Sequence, residues 1–152
     1  MTRIAIVEDE EKYYHILKEY IQKYAGENSE EIEAVWFQNG VEFLEKFHSD
    51  FDILLLDIEM PEKDGMSLAA SLRRHLHLSL IIFITSHTQY AVKAYELSVF
   101  RYIPKSEMET CLPLALKDAS CILKQSSSDA YIIESARRIQ KLSAEDIIYV
   151  YK

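Results

Sequence analysis

The feature that most constrains the fold is a regular alternation of short, all-apolar runs with longer stretches whose apolar residues recur every three or four positions. Short aliphatic runs predict strands, and the three-to-four spacing predicts amphipathic helices. Strands that alternate with helices predict a parallel sheet covered by helices on both faces. We therefore predict an α/β protein with a (βα)5 order and a doubly wound, five-stranded parallel sheet, followed by a short β-rich C-terminal tail.

The alternation gives approximate bounds for each element. Strands are predicted at residues 4–7, 35–37, 53–56, 80–84 and 102–103, and helices at residues 13–24, 40–47, 66–74, 90–97 and 110–123. Gly26 is expected to stop the first helix, because glycine is common just after helix ends. Thr110 is expected to cap the last helix, which would place Pro113 in the first turn, where its missing N–H costs nothing.

The composition of the C-terminal part differs from that of the rest. Residues 126–130, which begin with three serines, are interpreted as a linker between a first domain, residues 1–125, and a second segment, residues 131–152. In that segment we predict short strands at 131–134, 139–142 and 147–151 with no helix between them. At 152 residues, the chain has room for one domain and the beginning of another.

Net charge and cysteine usage limit the binding partners and the cellular compartment that we expect for the chain. The net charge of -8 comes entirely from the first 125 residues and argues against a domain that itself binds duplex DNA, since such binding depends on neutralising phosphates. Cys111 and Cys121 are ten positions apart in one predicted helix, about 15 Å, which is too far for a disulfide. With neither a signal peptide nor a long apolar segment in the sequence, we expect a cytoplasmic protein with no membrane contact.

Polar residues cluster where the predicted strands end. In an open parallel sheet, functional groups gather at the carboxyl ends of the strands, and the polar residues at those ends are Glu8, Asp9, Asp57, Thr85, Ser86 and Lys105. Carboxylates brought together repel one another, and a hard divalent cation such as Mg²⁺ relieves the repulsion. Acids, a hydroxyl and an ammonium around one metal suit phosphoryl transfer to a carboxylate nucleophile.

These motifs together resemble a known family. The acidic pair Glu8-Asp9, the D-x-x-M-P-x-x-x-G run that begins at Asp57, Thr85 after the fourth strand and Lys105 after the fifth are similar to the receiver domain of two-component response regulators. The resemblance covers about residues 2–124 and implies a flavodoxin-like fold. It also implies that a sensor histidine kinase transfers a phosphoryl group to Asp57 in a Mg²⁺-dependent reaction.

The resemblance assigns roles to individual residues. Asp57 would be the phosphoacceptor, and the Mg²⁺ ligands would be Glu8, Asp9, Asp57 and the main-chain carbonyl of Glu59. Thr85 and Lys105 would stabilise the phosphoryl group. The switch would consist of Thr85 and Tyr102, with a homodimer through the last two helices and the fifth strand. Glu59 and His87 occupy the positions that tune dephosphorylation in the family.

One departure concerns the lysine loop. The family usually has lysine followed by a cis proline, whereas the order here is Pro104-Lys105-Ser106. A cis bond before serine would cost about 3 kcal/mol, so either that strain persists or the peptide is trans and Lys105 approaches the site differently.

The tail suggests an output. Residues 131–152, YIIESARRIQKLSAEDIIYVYK, resemble the opening strands of a LytTR-type DNA-binding domain, which would make this segment the truncated start of that domain. The full-length protein would then be a transcription regulator that binds DNA through the missing part.

Other functions remain as alternatives. A pseudo-receiver would act as a protein-interaction module without phosphorylation. An aspartate-nucleophile hydrolase usually has a second aspartate two residues after the first, where this chain has Glu59. A dinucleotide-binding domain would have a glycine-rich turn after the first strand. We therefore expect a phosphoacceptor that loses its phosphoryl group slowly, rather than an enzyme.

Overall fold

The computed structural model describes residues 1–46, 51–74 and 79–137. Its strands are β1 (Thr2–Val7), β2 (Ile32–Phe37), β3 (Ile53–Leu56), β4 (Leu80–Thr85) and β5 (Arg101–Pro104). Its helices are α1 (Glu11–Asn28), α2 (Gly40–Lys46), α3 (Gly65–Arg74), α4 (Ala91–Glu96) and α5 (Met108–Arg137). The predicted alternation of five strands with five helices is confirmed.

The five strands form one parallel sheet in the order β2-β1-β3-β4-β5. The order reverses between β1 and β3, so the chain winds first to one side of the sheet and then to the other. Val7 pairs with Leu56, and Leu56 pairs with Phe83, so the central strands end at nearly the same level. This register brings the residues that follow β1, β3 and β4 to one edge of the sheet, at the switch point where such folds bind ligands.

The core forms because the central strands are apolar on both faces. All four residues of β3 are buried, as are residues 4–7 of β1 and 81–85 of β4. On one face Leu54, Leu56 and Phe83 belong to a buried cluster that includes Phe43 of α2 and Leu68 of α3. Burial of this apolar surface fixes the sheet edge on which the polar residues lie.

Neither of the two residues expected to bound a helix, Gly26 and Thr110, does so. Helix α1 continues through Gly26 to Asn28, and Ser29 adopts the left-handed conformation, with φ at 51°, that ends the helix. Helix α5 begins at Met108, directly after a 3₁₀ turn at Lys105–Glu107, so Pro113 lies inside the helix rather than in its first turn. The prediction missed the 3₁₀ turn, which starts the helical path earlier than Thr110.

The prediction for the start of the tail is wrong. The predicted linker at 126–130 and the predicted strand at 131–134 both lie in α5, which extends to Arg137. The segment after Pro113 contains neither glycine nor proline as far as Arg137, and serine is only a moderately poor helix former, so nothing in it interrupts the helix. The predicted strands at 139–142 and 147–151 lie outside the described residues.

The chain divides into two compact units, Met1–Ala115 and Leu116–Lys152, and every predicted site residue belongs to the first. The domain boundary at residue 125 stays a prediction. Both cysteines are free. In the part of the chain that the structure describes, no helix combines the length and the apolar character needed to cross a bilayer.

Helix α4 has six residues. It is the shortest of those α-helices in the first unit whose two ends are both described. A residue of another helix holds the C-terminal end of α4. The guanidinium of Arg73 in α3 donates hydrogen bonds to the carbonyl oxygens of Leu97 and Ser98, at 3.2 and 3.1 Å. Ser98 has a φ of 55°, which turns the chain from α4 toward β5. On its outer side α4 exposes Val92 and Tyr95 almost fully.

Candidate functional site

Three carboxylates meet where β1 and β3 end. Glu8 and Asp9 follow β1, Asp57 follows β3, and one carboxylate oxygen from each residue lies within 4.8 Å of the other two. Glu8 is 1% exposed and Asp57 is 6% exposed. Such proximity and burial are costly for ionised carboxylates, so this cluster is a candidate metal site rather than an ordinary acidic surface.

The main chain fixes the direction of Asp57. Its N–H donates to the carbonyl oxygen of Val7 at 3.1 Å, which extends the pairing of β1 and β3 by one residue. Its Oδ1 accepts a hydrogen bond of 2.7 Å from the N–H of Ile58. The following turn closes when the Gly65 N–H donates to the Ile58 carbonyl oxygen at 2.8 Å. Asp57 is therefore held on both sides by backbone contacts.

Lys105 supplies the cation of the site. Its Nζ lies 3.0 Å from Oε2 of Glu8 and 3.1 Å from Oδ2 of Asp57, and its side chain is 7% exposed. The peptide bond between Lys105 and Ser106 is trans, which answers the question raised by the order Pro104-Lys105-Ser106. A trans loop thus delivers the ammonium to both buried carboxylates.

Burial and charge set the pKa values of these groups. Burial, reinforced by the charge of Asp57, raises the pKa of Glu8 to about 7. Burial also raises the pKa of Asp57, and the charge of Asp9 adds to the effect, although Lys105 opposes it. For Lys105, burial alone would lower the pKa, but Asp57 and Glu8 together raise it. The site therefore favours the ionised form of Lys105. It disfavours the ionised forms of Glu8 and Asp57, which an added cation would stabilise.

Thr85 and Tyr102 are linked through the segment after β4. Thr85 is fully buried, and its Oγ1 accepts a hydrogen bond of 3.2 Å from the N–H of His87. The hydroxyl of Tyr102 donates to the carbonyl oxygen of His87, and its ring packs edge-on against Phe83 with 6.2 Å between centroids. Burial raises the pKa of Tyr102, so it acts as a neutral donor. The two predicted switch residues thus contact the same residue.

Glu59 and His87 meet beside the carboxylates. Nε2 of His87 lies 2.9 Å from Oε2 of Glu59, and both side chains are partly exposed. The two positions expected to tune dephosphorylation are therefore in direct contact, which their separation in the sequence did not reveal.

Trp36 and Tyr13 also contact the site, although no role was predicted for either residue. Nε1 of Trp36 donates a hydrogen bond of 2.8 Å to the main-chain oxygen of Glu8, and its ring stacks on Tyr14 with centroids 4.5 Å apart. The ring of Tyr13 lies beside Lys105. A signal for Tyr13 was available, since it lies in the first turn of the helix that follows the acidic pair. Its three-to-four spacing from other apolar residues, however, indicated a role in packing.

A comparison with protein-family models supplies the deciding observation, because residues 4–117 match the response regulator receiver domain. The chain belongs to this family. Among characterised relatives, it is 34% identical over 110 residues to the transcriptional regulatory protein YpdB of Escherichia coli K12, a match that covers 71% of this chain and 43% of YpdB. The receiver thus spans less than half the length of that relative.

Solved receiver structures share the fold. The response regulatory domain of MrkE from Klebsiella pneumoniae superposes with a TM-score of 0.74 at 31% identity, covering 82% of this chain and 99% of that one. The response regulator TrrA from Thermotoga maritima, crystallised with Mg²⁺ and BeF, gives a TM-score of 0.68 at 30% identity, covering 78% of this chain and 99% of TrrA. The flavodoxin-like receiver fold predicted for this chain is confirmed.

Proposed function

We propose that this receiver accepts a phosphoryl group on Asp57 from a sensor histidine kinase in a Mg²⁺-dependent reaction, and that it works in the cytoplasm. The observation that carries the proposal is the position of Asp57, which is buried between two further carboxylates and the ammonium of Lys105. A carboxylate in this setting is a nucleophile with electrostatic partners for a transferred phosphoryl group already in place.

The donor set fits Mg²⁺. Glu8, Asp9 and Asp57 offer carboxylate oxygens, which hard cations prefer, and the Glu59 main-chain carbonyl would complete the protein ligands. When bound, the metal would neutralise charge on the phosphoryl oxygens and on the carboxylates. Support from a relative comes from TrrA, which was crystallised with Mg²⁺ and BeF.

Three residues of the chain have separate roles in the transfer of the phosphoryl group. Asp57 attacks phosphorus through a carboxylate oxygen, so that an O–P bond forms while the N–P bond of the phosphorylated kinase histidine breaks and the imidazole leaves. Lys105 pairs with a phosphoryl oxygen, since its Nζ already lies 3.1 Å from Oδ2 of Asp57. Thr85 donates its hydroxyl to another oxygen. Both interactions stabilise charge that spreads over the equatorial oxygens in the transition state.

The phosphoryl group on Asp57 is removed by hydrolysis. Hydrolysis needs water to reach phosphorus in line with the O–P bond. The side chains of Glu59 and His87, which follow β3 and β4, contact each other. We propose that this pair slows hydrolysis by limiting water access, so that the receiver is a phosphoacceptor with a slow self-dephosphorylation rather than a classical enzyme.

The output is proposed to be transcriptional. The relative YpdB is named a transcriptional regulatory protein, and this chain matches less than half of it, which leaves room for an effector domain in the relative. We propose the same arrangement here, with the sequence after Arg137 leading into a LytTR-type domain that binds DNA in the full-length protein. Specific DNA binding by the full-length protein, with none by residues 1–125, would support it.

Switching is proposed to change self-association. Tyr102 contacts the segment after Thr85, and the neighbouring α4 exposes Val92 and Tyr95. A groove of about 370 Å³ between α4 and β5 is lined by residues that include Tyr95 and Phe100. We propose a homodimer through α4, β5 and α5 in the phosphorylated state, and sedimentation of the protein with and without phosphodonor would test it.

The direct test of phosphorylation is intact mass after incubation with Mg²⁺ and acetyl phosphate. We expect a gain of one phosphoryl group that is absent in Asp57→Asn and in protein treated with a chelator. Asp52→Asn is the matched control, because Asp52 lies at the opposite end of β3 and accepts a hydrogen bond from the N–H of Arg3. No gain under any condition would reject the proposal in favour of a phosphorylation-independent pseudo-receiver.

A further inference from the structure

The ammonium of Lys105 has a third neighbour besides its two carboxylates. Its Nζ lies 3.7 Å from the centroid of the Tyr13 ring. A cation within about 6 Å of an aromatic centroid is attracted by the negative face of the ring. Tyr13 is half-buried in the first turn of α1, directly after the acidic pair that follows β1.

The three contacts surround the ammonium. Two of its sides face carboxylate oxygens of Glu8 and Asp57, at 3.0 and 3.1 Å, and the ring occupies another. The lysine side chain is consequently almost inaccessible to water. Cation–π attraction is strongest where the cation is desolvated, so this contact belongs to the stronger class. Lys12 also approaches the ring, but this residue is exposed and its Nζ is 5.3 Å from the centroid.

We propose that Tyr13 is a positioning residue for phosphoryl transfer, which holds the Lys105 ammonium beside Asp57 through the face of its ring. The flexible four-carbon stem of lysine otherwise permits many rotamers, and ordering them at the moment of reaction would add to the barrier. A preorganised cation avoids that cost. The inference rests on the proposed role of Asp57 as phosphoacceptor.

The proposal depends on the ring and not on the hydroxyl, which makes the choice of variants clear. Tyr13→Phe keeps the ring face, whereas Tyr13→Leu keeps an apolar side chain and a good helix former but removes the ring. Tyr20→Leu is the matched control, because Tyr20 lies two helical turns further along the same side of α1.

The kinetic test is the initial rate of Asp57 phosphorylation by acetyl phosphate at fixed Mg²⁺. We expect Tyr13→Leu to lower the rate by about three- to tenfold. Tyr13→Phe should recover most of the rate, and Tyr20→Leu should match the wild type. An unchanged rate in Tyr13→Leu would overturn the proposal, as would an equal loss in the Phe and Leu variants, which would indicate a role for the hydroxyl.

A second measurement does not depend on phosphorylation, and its decisive observation uses the wild-type protein alone. Protons above an aromatic face resonate upfield, so the ε-methylene protons of Lys105 should be shifted upfield in the NMR spectrum of the wild-type protein. The shift should persist in Tyr13→Phe and disappear in Tyr13→Leu. Ordinary lysine shifts in the wild type would overturn the contact itself.

The two measurements separate the two proposals. A wild-type protein with shifted Lys105 protons and no phosphorylation would reject the proposed function and with it the positioning role, while retaining the contact. A phosphorylated wild type whose rate does not depend on the ring would reject only the role of Tyr13.

Discussion

Gly65 lies so close to Asp57 that a Cβ atom at position 65 would be 2.1 Å from the main-chain oxygen of Asp57. No side chain fits there unless the backbone moves. We expect Gly65→Ala to displace the turn after β3, to destabilise the protein by about 2 kcal/mol or more, and to slow phosphorylation of Asp57. Urea unfolding and the mass assay with acetyl phosphate measure the two effects.

Gly26 provides the matched control for this substitution. A Cβ at that position would have no heavy atom within 4 Å, and the residue lies inside α1. Because alanine favours helices over glycine, Gly26→Ala should stabilise the protein by about 0.5–1 kcal/mol. A similar loss of stability in both alanine variants would contradict the steric explanation for Gly65.

Lys105→Met should reveal how strongly the buried carboxylates depend on their cation. Removing one partner of a buried ion pair leaves uncompensated charge, which costs about 3 kcal/mol or more. In urea unfolding without Mg²⁺, we expect that loss at pH 8 and a smaller one at pH 5, where Glu8, with its raised pKa, is protonated.

Lys46→Met is the comparison for Lys105→Met, because Lys46 pairs with Glu42 on the surface and exposed pairs contribute little. We expect no measurable loss of stability for this variant. A loss for Lys105→Met that is the same at pH 5 and pH 8 would show that charge is not the cause.

Glu8 should make the metal-free protein less stable as pH rises. Its pKa is about 7 in the folded protein and 4.5 as the ordinary value, so the folded state binds the proton more tightly. The resulting stabilisation is complete below pH 4.5 and is lost as pH rises through about 7, a change of up to about 3 kcal/mol. Relative to Glu8→Gln, which cannot ionise, wild-type stability in the presence of a chelator should therefore fall over this range. Parallel profiles would refute the assignment.

Trp36 should report binding of Mg²⁺ directly. It is the single tryptophan of the chain, and it donates to the main-chain oxygen of Glu8, so a metal held by Glu8 and Asp9 should alter its surroundings. We expect a saturable change in tryptophan fluorescence on addition of Mg²⁺, and a much weaker response in Asp9→Asn. The same change in the variant, or upon raising ionic strength with NaCl, would mean that the signal does not come from the carboxylate site.

The contact between Glu59 and His87 should appear in the rate of phosphoryl loss. If the pair limits water access, Glu59→Ala and His87→Ala should each speed hydrolysis, and the double variant should be no faster than the faster single one. For a partly exposed pair we expect a coupling on the order of 0.5 kcal/mol. Additive effects in this double-mutant cycle would show that the two residues act separately.

The sheet and the carboxylate cluster were predictable because each depends on local patterns. Apolar runs such as residues 53–56 identify strands, and in parallel strands the residues that follow, among them Asp57, must gather at one edge. The pairing of Lys105 with Glu8 and Asp57 follows from the same logic once the order of the strands is known. Fold and candidate ligands were therefore accessible from the sequence.

Contacts between distant side chains were not predictable in this way. The Tyr13 ring reaches Lys105 because of the placement of α1, and the Trp36 indole reaches the Glu8 carbonyl because β2 pairs with β1. No spacing rule in the sequence encodes either contact. The strand predicted at residues 131–134 failed for a different reason, since β-prone residues there continue a helix already formed upstream. The preference of these residues for strands is outweighed by their position in the continuous helix α5.

Because α4 is short, it can unfold locally while the rest of the domain stays folded. Six residues form few internal hydrogen bonds, so a helix of this length depends on its neighbours, here the guanidinium of Arg73 at its far end. Amide hydrogens of α4 should therefore exchange with solvent through local opening, while those of β1, β3 and β4 should exchange only through global unfolding. The exposed face of α4 can therefore be remodelled at a free-energy cost well below that of opening the sheet.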